Sequence, residues 1–576
     1  MNSGKMRKFK VINEQILTIK TEMNKIQVMA VVIIAMITFS CNSSKQPSDM
    51  IITNARIWTG DERQPYAQAM AVSGDTIVAV GNRSEVMKHR SEATVIIDMG
   101  GRFIAPGFID SHVHMLQGGS NLASVQLRDA TTPEIVIRRI KEYATTLKPG
   151  EWILGGDWDG KGWETLPMAE WIDTVTPDNP VFVSRLDGHM ALANSLAMKL
   201  AGVDHTVRDI SGGTIEKDSR GEPTGIFKDN AMDLISVKIP APTEEEVDRA
   251  LVAAMNYLAS NGVTSVHAVD GAEYIDGLSR VRASGSQITR VYWLKTISRW
   301  NELKEHIERE GKGDEWLRTG GVKGFVDGSL GSHTAAFIEP YTDLQTDSGL
   351  FVNSKEDLYR WISESDRAEL QVVIHAIGDR AINYLLNTYE QVSEENGERD
   401  RRFRIEHSQH IVPADIERYG KLKVIASMQP YHAIDDGRWA EEYIGQERMK
   451  TSYAFRSLID SGVTVAFGSD WFVAPATPLE GIYGAVTRRT LDGKNPDGWV
   501  PEQKITVEEA LKAYTINAAY ASFEENIKGS LEPGKLADFV VLDQDITAID
   551  PVKIWDLKVQ QTWVGGKKVF DRSENK

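Results

Sequence analysis

Five side chains of metal-ligating type stand at or just beyond the ends of apolar runs in this 576-residue chain. His112 and His114 follow Phe103–Ile109 in APGFIDSHVHM. His375 lies near the end of VVIHAIGD, His407 follows the run in FRIEHSQH, and Asp470 follows the run in VAFGSDW. Side chains alternate along a strand, so His112 and His114 share one face. Two imidazoles on one face can grip one cation. A single His-x-His arises readily by chance, and isolated histidines such as His89 and His306 read as ordinary hydrogen-bonded residues. Two more histidines and an aspartate at successive run ends point instead to a metal centre. Lys323 lies in a further run, GVKGFVDGSLG.

Such a set must be carried by elements whose ends converge. Eight apolar runs alternate with helical segments: Phe103–Ile109, Trp152–Gly156, Val263–Val269, Gly321–Val326, Gln371–Ile377, Phe403–Glu406, Lys423–Met428 and Val463–Gly468. This pattern predicts an α/β fold, a (β/α)8 TIM-type barrel with its reactive groups at the C-terminal ends of the strands. Near-continuous apolar runs suit a parallel sheet covered on both faces. From His114 to Val263 there are 149 residues, far more than one strand–helix unit needs. The excess predicts an inserted subdomain over the barrel mouth, about 118–255. Short β-rich segments with Gly turns open the chain after residue 49 and close it after 527. They predict a small β-sandwich, 50–102 and 527–576, built from both ends, with the barrel spanning 103–526.

The chain has 41% apolar and 26% charged residues, a soluble globular composition. Lys and Arg total 65 and Asp and Glu 82, a net charge of −17. With no basic stripe, nucleic-acid binding is not expected. Cys41 is the single cysteine, which excludes an intrachain disulfide and a cysteine-rich zinc site. It directly follows an apolar run, Val28–Phe39, too short to span a bilayer. Lys25 precedes the run and small residues follow it, the layout of a secretory signal. The expectation is a lipoprotein signal over 1–40, cleaved before a lipidated Cys41, and a polar tether over 41–49. Met23 is an alternative start to Met1. Cleavage would remove six basic and two acidic residues, leaving 59 against 80, a net −21. The expected location is the periplasmic side of a bacterial membrane, the outer membrane, with lipid as the only membrane contact. The partner is a small-molecule substrate. The oligomeric state is open, and a homodimer is compatible.

In order along nearly the whole mature chain, PGFIDSHVH (106–114), DGHMALANSLA (187–197), VKGFVDGSLGSHTA (322–335), HAIGDRA (375–381), EHSQH (406–410), GSDWFV (468–473) and GSLEPGKLADFVVLD (529–543) resemble the amidohydrolase superfamily. The resemblance is to its YtcJ-like branch, which includes N-substituted formamide deformylases. It implies the barrel with a two-ended β-sandwich, and His112, His114, His375, His407 and Asp470 as metal ligands. Zinc, as one or two ions, suits such a nitrogen and oxygen set. Lys323 matches the position of a carboxylated lysine that bridges two metals; an unmodified ammonium has no lone pair to offer. The other reading of Lys323 is a free cation that binds an acidic substrate group or pairs with Asp327. Asp470 would also carry a proton from water to the leaving nitrogen. The implied activity is hydrolysis of an amide-type C–N bond. Alternatives are a deaminase, another C–N or C–O hydrolase of the superfamily, or a metal-containing lipoprotein that binds without turnover.

Weaker candidates complete the reading. Asp187 and His189 match a family motif and are read as substrate contacts, with helix capping the competing role for His189. Trp158 and Trp163 would wall an apolar pocket or fill a core. His267 would face the barrel mouth and meet substrate or support a ligand. His333 and Asp327 fit a loop-ordering role. Ser329 lacks a nucleophile-elbow pattern, so a serine hydrolase is not read.

Overall fold

The computed structural model describes residues 48–574, apart from 123, 161, 162, 164, 272 and 273. The predicted signal, Cys41 and most of the tether lie outside the described residues. Among the described residues no helix is long and apolar enough to cross a membrane.

Eight strands form one sheet: β1 (Phe108–Val113), β2 (Val263–Gly271), β3 (Arg290–Thr296), β4 (Leu317–Phe325), β5 (Gln371–Ala376), β6 (Arg404–His407), β7 (Ile425–Met428) and β8 (Val465–Phe467). They pair in chain order and every pair is parallel. β1, β5, β6 and β7 are buried at every residue, as a sheet covered on both faces requires. The first and eighth strands meet through a bridge between Val113 and Trp471, which brings the barrel almost to closure.

Two assignments differ from the sequence reading. Trp152–Gly156 is not a barrel strand; Gly155–Trp158 belongs to the inserted sheet. The barrel uses Arg290–Thr296 in its place. The run Phe103–Ile109 also divides at Gly107. Phe103–Pro106 pairs with Phe539–Leu542 in the sandwich, and Phe108 opens the barrel. A Cβ at Gly107 would lie 2.3 Å from the Thr264 side chain, so this crossover needs glycine.

One sandwich sheet has four N-terminal strands, in the order Thr76–Gly81, Ala69–Ser73, Met50–Thr53, Val95–Asp98. The other sets Phe103–Pro106 between Arg56–Trp58 and the C-terminal strands Phe539–Leu542, Val559–Val564 and Lys567–Asp571. Ile52, Met70, Ile104, Phe539 and Trp563 share its core. Between β1 and β2 the chain builds a six-stranded sheet over 125–229. Helix α1 (Met115–Asn121) leads into that insertion and α2 (Glu244–Ser260) leads out. Thr243 and Glu246 form a capping box at the start of α2, with three glutamates in its first turn. The two helices pack closely: a Cβ at Gly119 would lie 2.0 Å from the Ala250 carbonyl oxygen.

Candidate active site

β1 delivers His112, with His114 just beyond its end, β4 Lys323, β5 His375 and β6 His407; Asp470 follows β8. The site is tied to the closing seam of the barrel. Asp470 N–H donates to His112 O at 2.7 Å, and His114 N–H to Trp471 O at 2.6 Å. His407 and Asp470 hold left-handed backbone, φ 71° and 60°. Non-glycine residues there cost about 1–3 kcal/mol each and cluster at functional sites.

The rings form a file: His112 to His407, 4.9 Å between centroids, then His407 to His375, 4.4 Å. His114 lies 5.7 Å from His112. Asp470 Oδ1 stands 3.3 Å from His112 Nε2 and 3.2 Å from His114 Nε2. Ligand atoms of His112, His407 and Asp470 lie within 4.8 Å of one another. Lys323 is buried, and its Nζ donates to His112 Nε2 at 3.2 Å. It does not pair with Asp327, which accepts from the N–H groups of Ala336, Ile377 and Gly378 and orders the loop.

Acceptors on the far side of each ring fix the tautomers. His112 Nδ1–H donates to Glu406, and His407 Nδ1–H donates to Gln429 Oε1 at 2.9 Å, leaving Nε2 lone pairs on both. His375 donates Nε2–H to Gly328 O at 3.1 Å, which leaves its lone pair on Nδ1. Burial drives the pKa values of His112, His375 and His407 well below the usual histidine range, so the rings are neutral donors. Burial also brings Lys323 down to about 8, against the pull of Glu406 and Asp470.

The residues fit a divalent cation. Asp470 Oδ1 is buried without a hydrogen-bond partner, beside the Nε2 lone pair of His112. Such a meeting of acceptors is costly unless a cation joins them. The nitrogen and oxygen donor set suits zinc.

A cavity of about 1320 Å³ opens from this cluster between the barrel and the insertion. Asp187 and His189, read from the sequence as substrate contacts, line it, and so does Ser329. Arg185 pairs with Asp187 at 2.5 Å, and Ser329 Oγ–H donates to the same carboxylate at 2.7 Å. His189 donates Nδ1–H to Asp229 at 2.7 Å, and its ring lies 5.3 Å from that of His375. Burial opposes the charged form of His189, but the hydrogen bond and charge of Asp229, together with the carboxylates of Asp187 and Asp327, raise it to about 9.

Two candidates lie elsewhere. Trp158 is buried in the core of the insertion, donating to Val183 O at 3.0 Å and stacked on Trp163. Its indole is satisfied inside that core and does not wall the cavity. His267 is fully buried on β2, accepting at Nδ1 from Arg404 at 2.9 Å. It lies below the mouth, where substrate does not reach. His333 pairs with Asp343 at 2.8 Å and stacks on Tyr443, again ordering a loop.

The sequence reading passed over Glu406 as a functional group, although its motif was quoted. Arg404 and Glu406 point to the same side of β6 and pair at 2.7 Å, so the carboxylate that orients His112 is itself anchored. The left-handed turn at His407 then breaks strand alternation and lets the next residue reach the same centre. Asp270 was also missed; it accepts from Met115 N–H at 2.9 Å and lies 3.9 Å from His114 Nδ1.

Gly468 packs against the backbone of His112: a Cβ there would lie 2.6 Å from His112 N and 2.9 Å from Asp110 Oδ1. Gly468→Ala should therefore displace His112 and reduce metal occupancy and kcat/KM by about tenfold or more, the effect of about 1–3 kcal/mol of overpacking. Metal analysis beside circular dichroism checks this. A variant with full occupancy and activity would show that the backbone yields freely.

A parallel barrel with histidines and an aspartate at its strand ends is the framework of a metal-dependent hydrolase. The chain belongs to the amidohydrolase family, whose model matches residues 95–570. It is 39% identical to Protein LONG AFTER FAR-RED 3 of Arabidopsis thaliana, covering 91% of this chain and 92% of that one. It is 32% identical to YtcJ of Bacillus subtilis, covering 90% and 98%. With the N-substituted formamide deformylase of Arthrobacter pascens the identity is 29%, covering 92% and 99%. A crystal structure of an uncharacterized metal-dependent hydrolase from Pyrococcus horikoshii superposes with a TM-score of 0.72 at 28% identity, covering 87% and 99%.

Proposed function

We propose that this chain hydrolyses an amide-type C–N bond of a small molecule. The observation that carries the reading is Asp470: a buried carboxylate whose Oδ1 has no hydrogen-bond partner, set beside the rings of His112 and His114 at the end of a large cavity. The full-length similarity to a formamide deformylase supports an amide as the bond. His112, His114, His375, His407 and Asp470 would hold one or two zinc ions. When bound, the metal supplies a lowered pKa for water, toward about 7, and polarisation of the scissile carbonyl. Glu406 and Gln429 keep the ring protons pointing away from the centre. Asp470 accepts the proton of the attacking water and hands it to the leaving nitrogen, so the products are an acid and an amine. His189, held by Asp229, and Asp187, held by Arg185, contact the substrate from the insertion.

The test is amine release by the zinc-loaded protein from a panel of formamides and simple amides, before and after chelation. Activity should disappear with the metal and return with zinc. Full activity in metal-free protein, or no amide turned over, overturns the reading.

Lys323 carries a carbamate in this reading. The neutral amine of Lys323 adds through Nζ to CO2, an N–C bond forms, one proton leaves to water, and the side chain gains two oxygen donors. Its place beside His112 Nε2 would let those oxygens join the imidazoles in holding metal. Lys323→Ala should bind one metal fewer and lose most activity, and the parent should show a carbamate carbon signal after incubation with 13C-labelled CO2. A parent with one metal and no such signal leaves Lys323 as a free cation. The export reading also belongs here: Cys41 is lipidated and holds the protein at the periplasmic face of a membrane. Cys41→Ala should release it from the membrane fraction, and unchanged retention would oppose that reading.

A further inference from the structure

Among the described residues six histidines line the cavity: His112, His114, His189, His375, His407 and His432. In four of them a ring N–H is fixed by an oxygen of Glu406, Asp229, Gly328 or Gln429. His114 lies between Asp270 and Asp470. His432 differs. Its Nε2 is buried without a hydrogen-bond partner, and neither ring nitrogen is hydrogen-bonded to any described residue.

Its place follows from the seventh strand. β7 ends at Met428, Gln429 then holds the His407 ring, and a short helix, Pro430–Asp436, begins. Ala433 and Ile434 of that helix turn into the core, while His432 stands half-buried at the cavity wall. Of the charged groups around the ring, Asp470 acts on it most strongly, followed by Asp435, Arg128 and Asp187. His432 thus belongs to the Asp470 side of the site, whereas His189 lies beside His375. A ring nitrogen withheld from both water and protein is costly unless a ligand atom meets it.

We infer that His432 is a substrate contact whose ring lone pair accepts the N–H of the leaving nitrogen. The inference rests on the amide-hydrolase reading, which brings that nitrogen within reach of Asp470. With its N–H turned to His432, the nitrogen presents its own lone pair to Asp470 once water has added to the carbonyl carbon. Asp470 then hands over the proton as the C–N bond breaks. A neutral imidazole has one N–H and one lone pair, so it offers a single acceptor. His432 therefore separates an amide nitrogen that keeps a hydrogen from one that does not. A site built to pair such a group rejects the analogue that lacks it.

The experiment uses the full-length zinc-loaded protein with N-butylformamide and N-butyl-N-methylformamide. Assays at pH 8 lie above the usual histidine range. In the parent, kcat/KM for the first substrate should exceed that for the second by about tenfold, the worth of one hydrogen bond. In His432→Leu this ratio should fall toward one through loss on the N–H substrate, with metal content at the parental level. His432→Phe keeps an aromatic ring in place and guards against misfolding of the first variant. His432→Gln, whose amide oxygen can accept, should restore part of the ratio. Calorimetric binding of both amides in an Asp470→Asn background gives a readout apart from turnover. The N–H amide should bind several-fold more tightly there, and the difference should vanish when His432→Leu is added. Simple steric exclusion of the extra methyl would leave the ratio unchanged in every variant. A parental ratio in His432→Leu and His432→Phe, in turnover and binding alike, overturns the inference and leaves the amide reading standing. A binding preference that depends on His432, without turnover of either amide, supports the contact and overturns the amide reading.

Discussion

Asp470→Asn is expected to lower kcat by about 10³-fold while the protein stays folded and much of its metal remains bound. Asparagine keeps the size of the side chain and one oxygen donor, but it cannot take a proton from water. Groups that move protons in the transition state contribute about 10²–10⁴-fold. The seam contact to His112 O uses the backbone N–H of residue 470 and survives the change. His112→Ala supplies the contrast. It removes a ring anchored through Glu406, so metal content should fall together with activity. Metal analysis and single-substrate kinetics on both variants separate the roles. An Asp470→Asn protein within tenfold of the parent at equal metal content would remove Asp470 as the proton carrier.

The second large effect lies at the opposite end of the barrel. Arg290 opens β3 and is fully buried; it donates through Nε to Asp538 Oδ2 at 2.7 Å and through a terminal nitrogen to Oδ1 at 3.1 Å. Asp538 directly precedes a sandwich strand and also accepts from Gly565 N–H at 2.7 Å. Trp316 covers the guanidinium, with 4.4 Å from its central carbon to the ring. Asp538→Ala strands a buried cation between barrel and sandwich and should cost about 3–5 kcal/mol, read as a lower urea midpoint of the metal-free protein. Arg290→Met combined with Asp538→Leu should recover most of the loss, because an apolar pair of similar size carries no desolvation penalty. An unchanged midpoint in Asp538→Ala would mean that water reaches Arg290.

This same pair explains what the sequence concealed. β3 reads RVYWLKT, an otherwise apolar and aromatic run that carries two cations. The carboxylate that neutralises Arg290 lies 248 residues away, where no local pattern can reveal it. Trp152–Gly156 took its place because a short apolar run beside glycines looks alike in a barrel and in an inserted sheet. The centre itself was more legible. Ligand-type residues at strand ends are a local signal, and the fold brings His112, His114, Lys323, His375, His407 and Asp470 together. Glu406 escaped because its partner His112 is 294 residues distant. Trp158 and His267 were misplaced because an aromatic or imidazole ring near a strand end fits a core as readily as a cavity.

The barrel seam has a consequence for assembly. His112 lies on the first strand and Asp470 just after the last, and the hydrogen bonds that close the barrel are those that set these two residues side by side. A chain emerging from synthesis holds His112 early and Asp470 only after most of its length is made. The metal pocket is thus completed among the last events of folding rather than built up strand by strand. A nicked or truncated chain lacking the eighth strand keeps most of the histidines and still has no site.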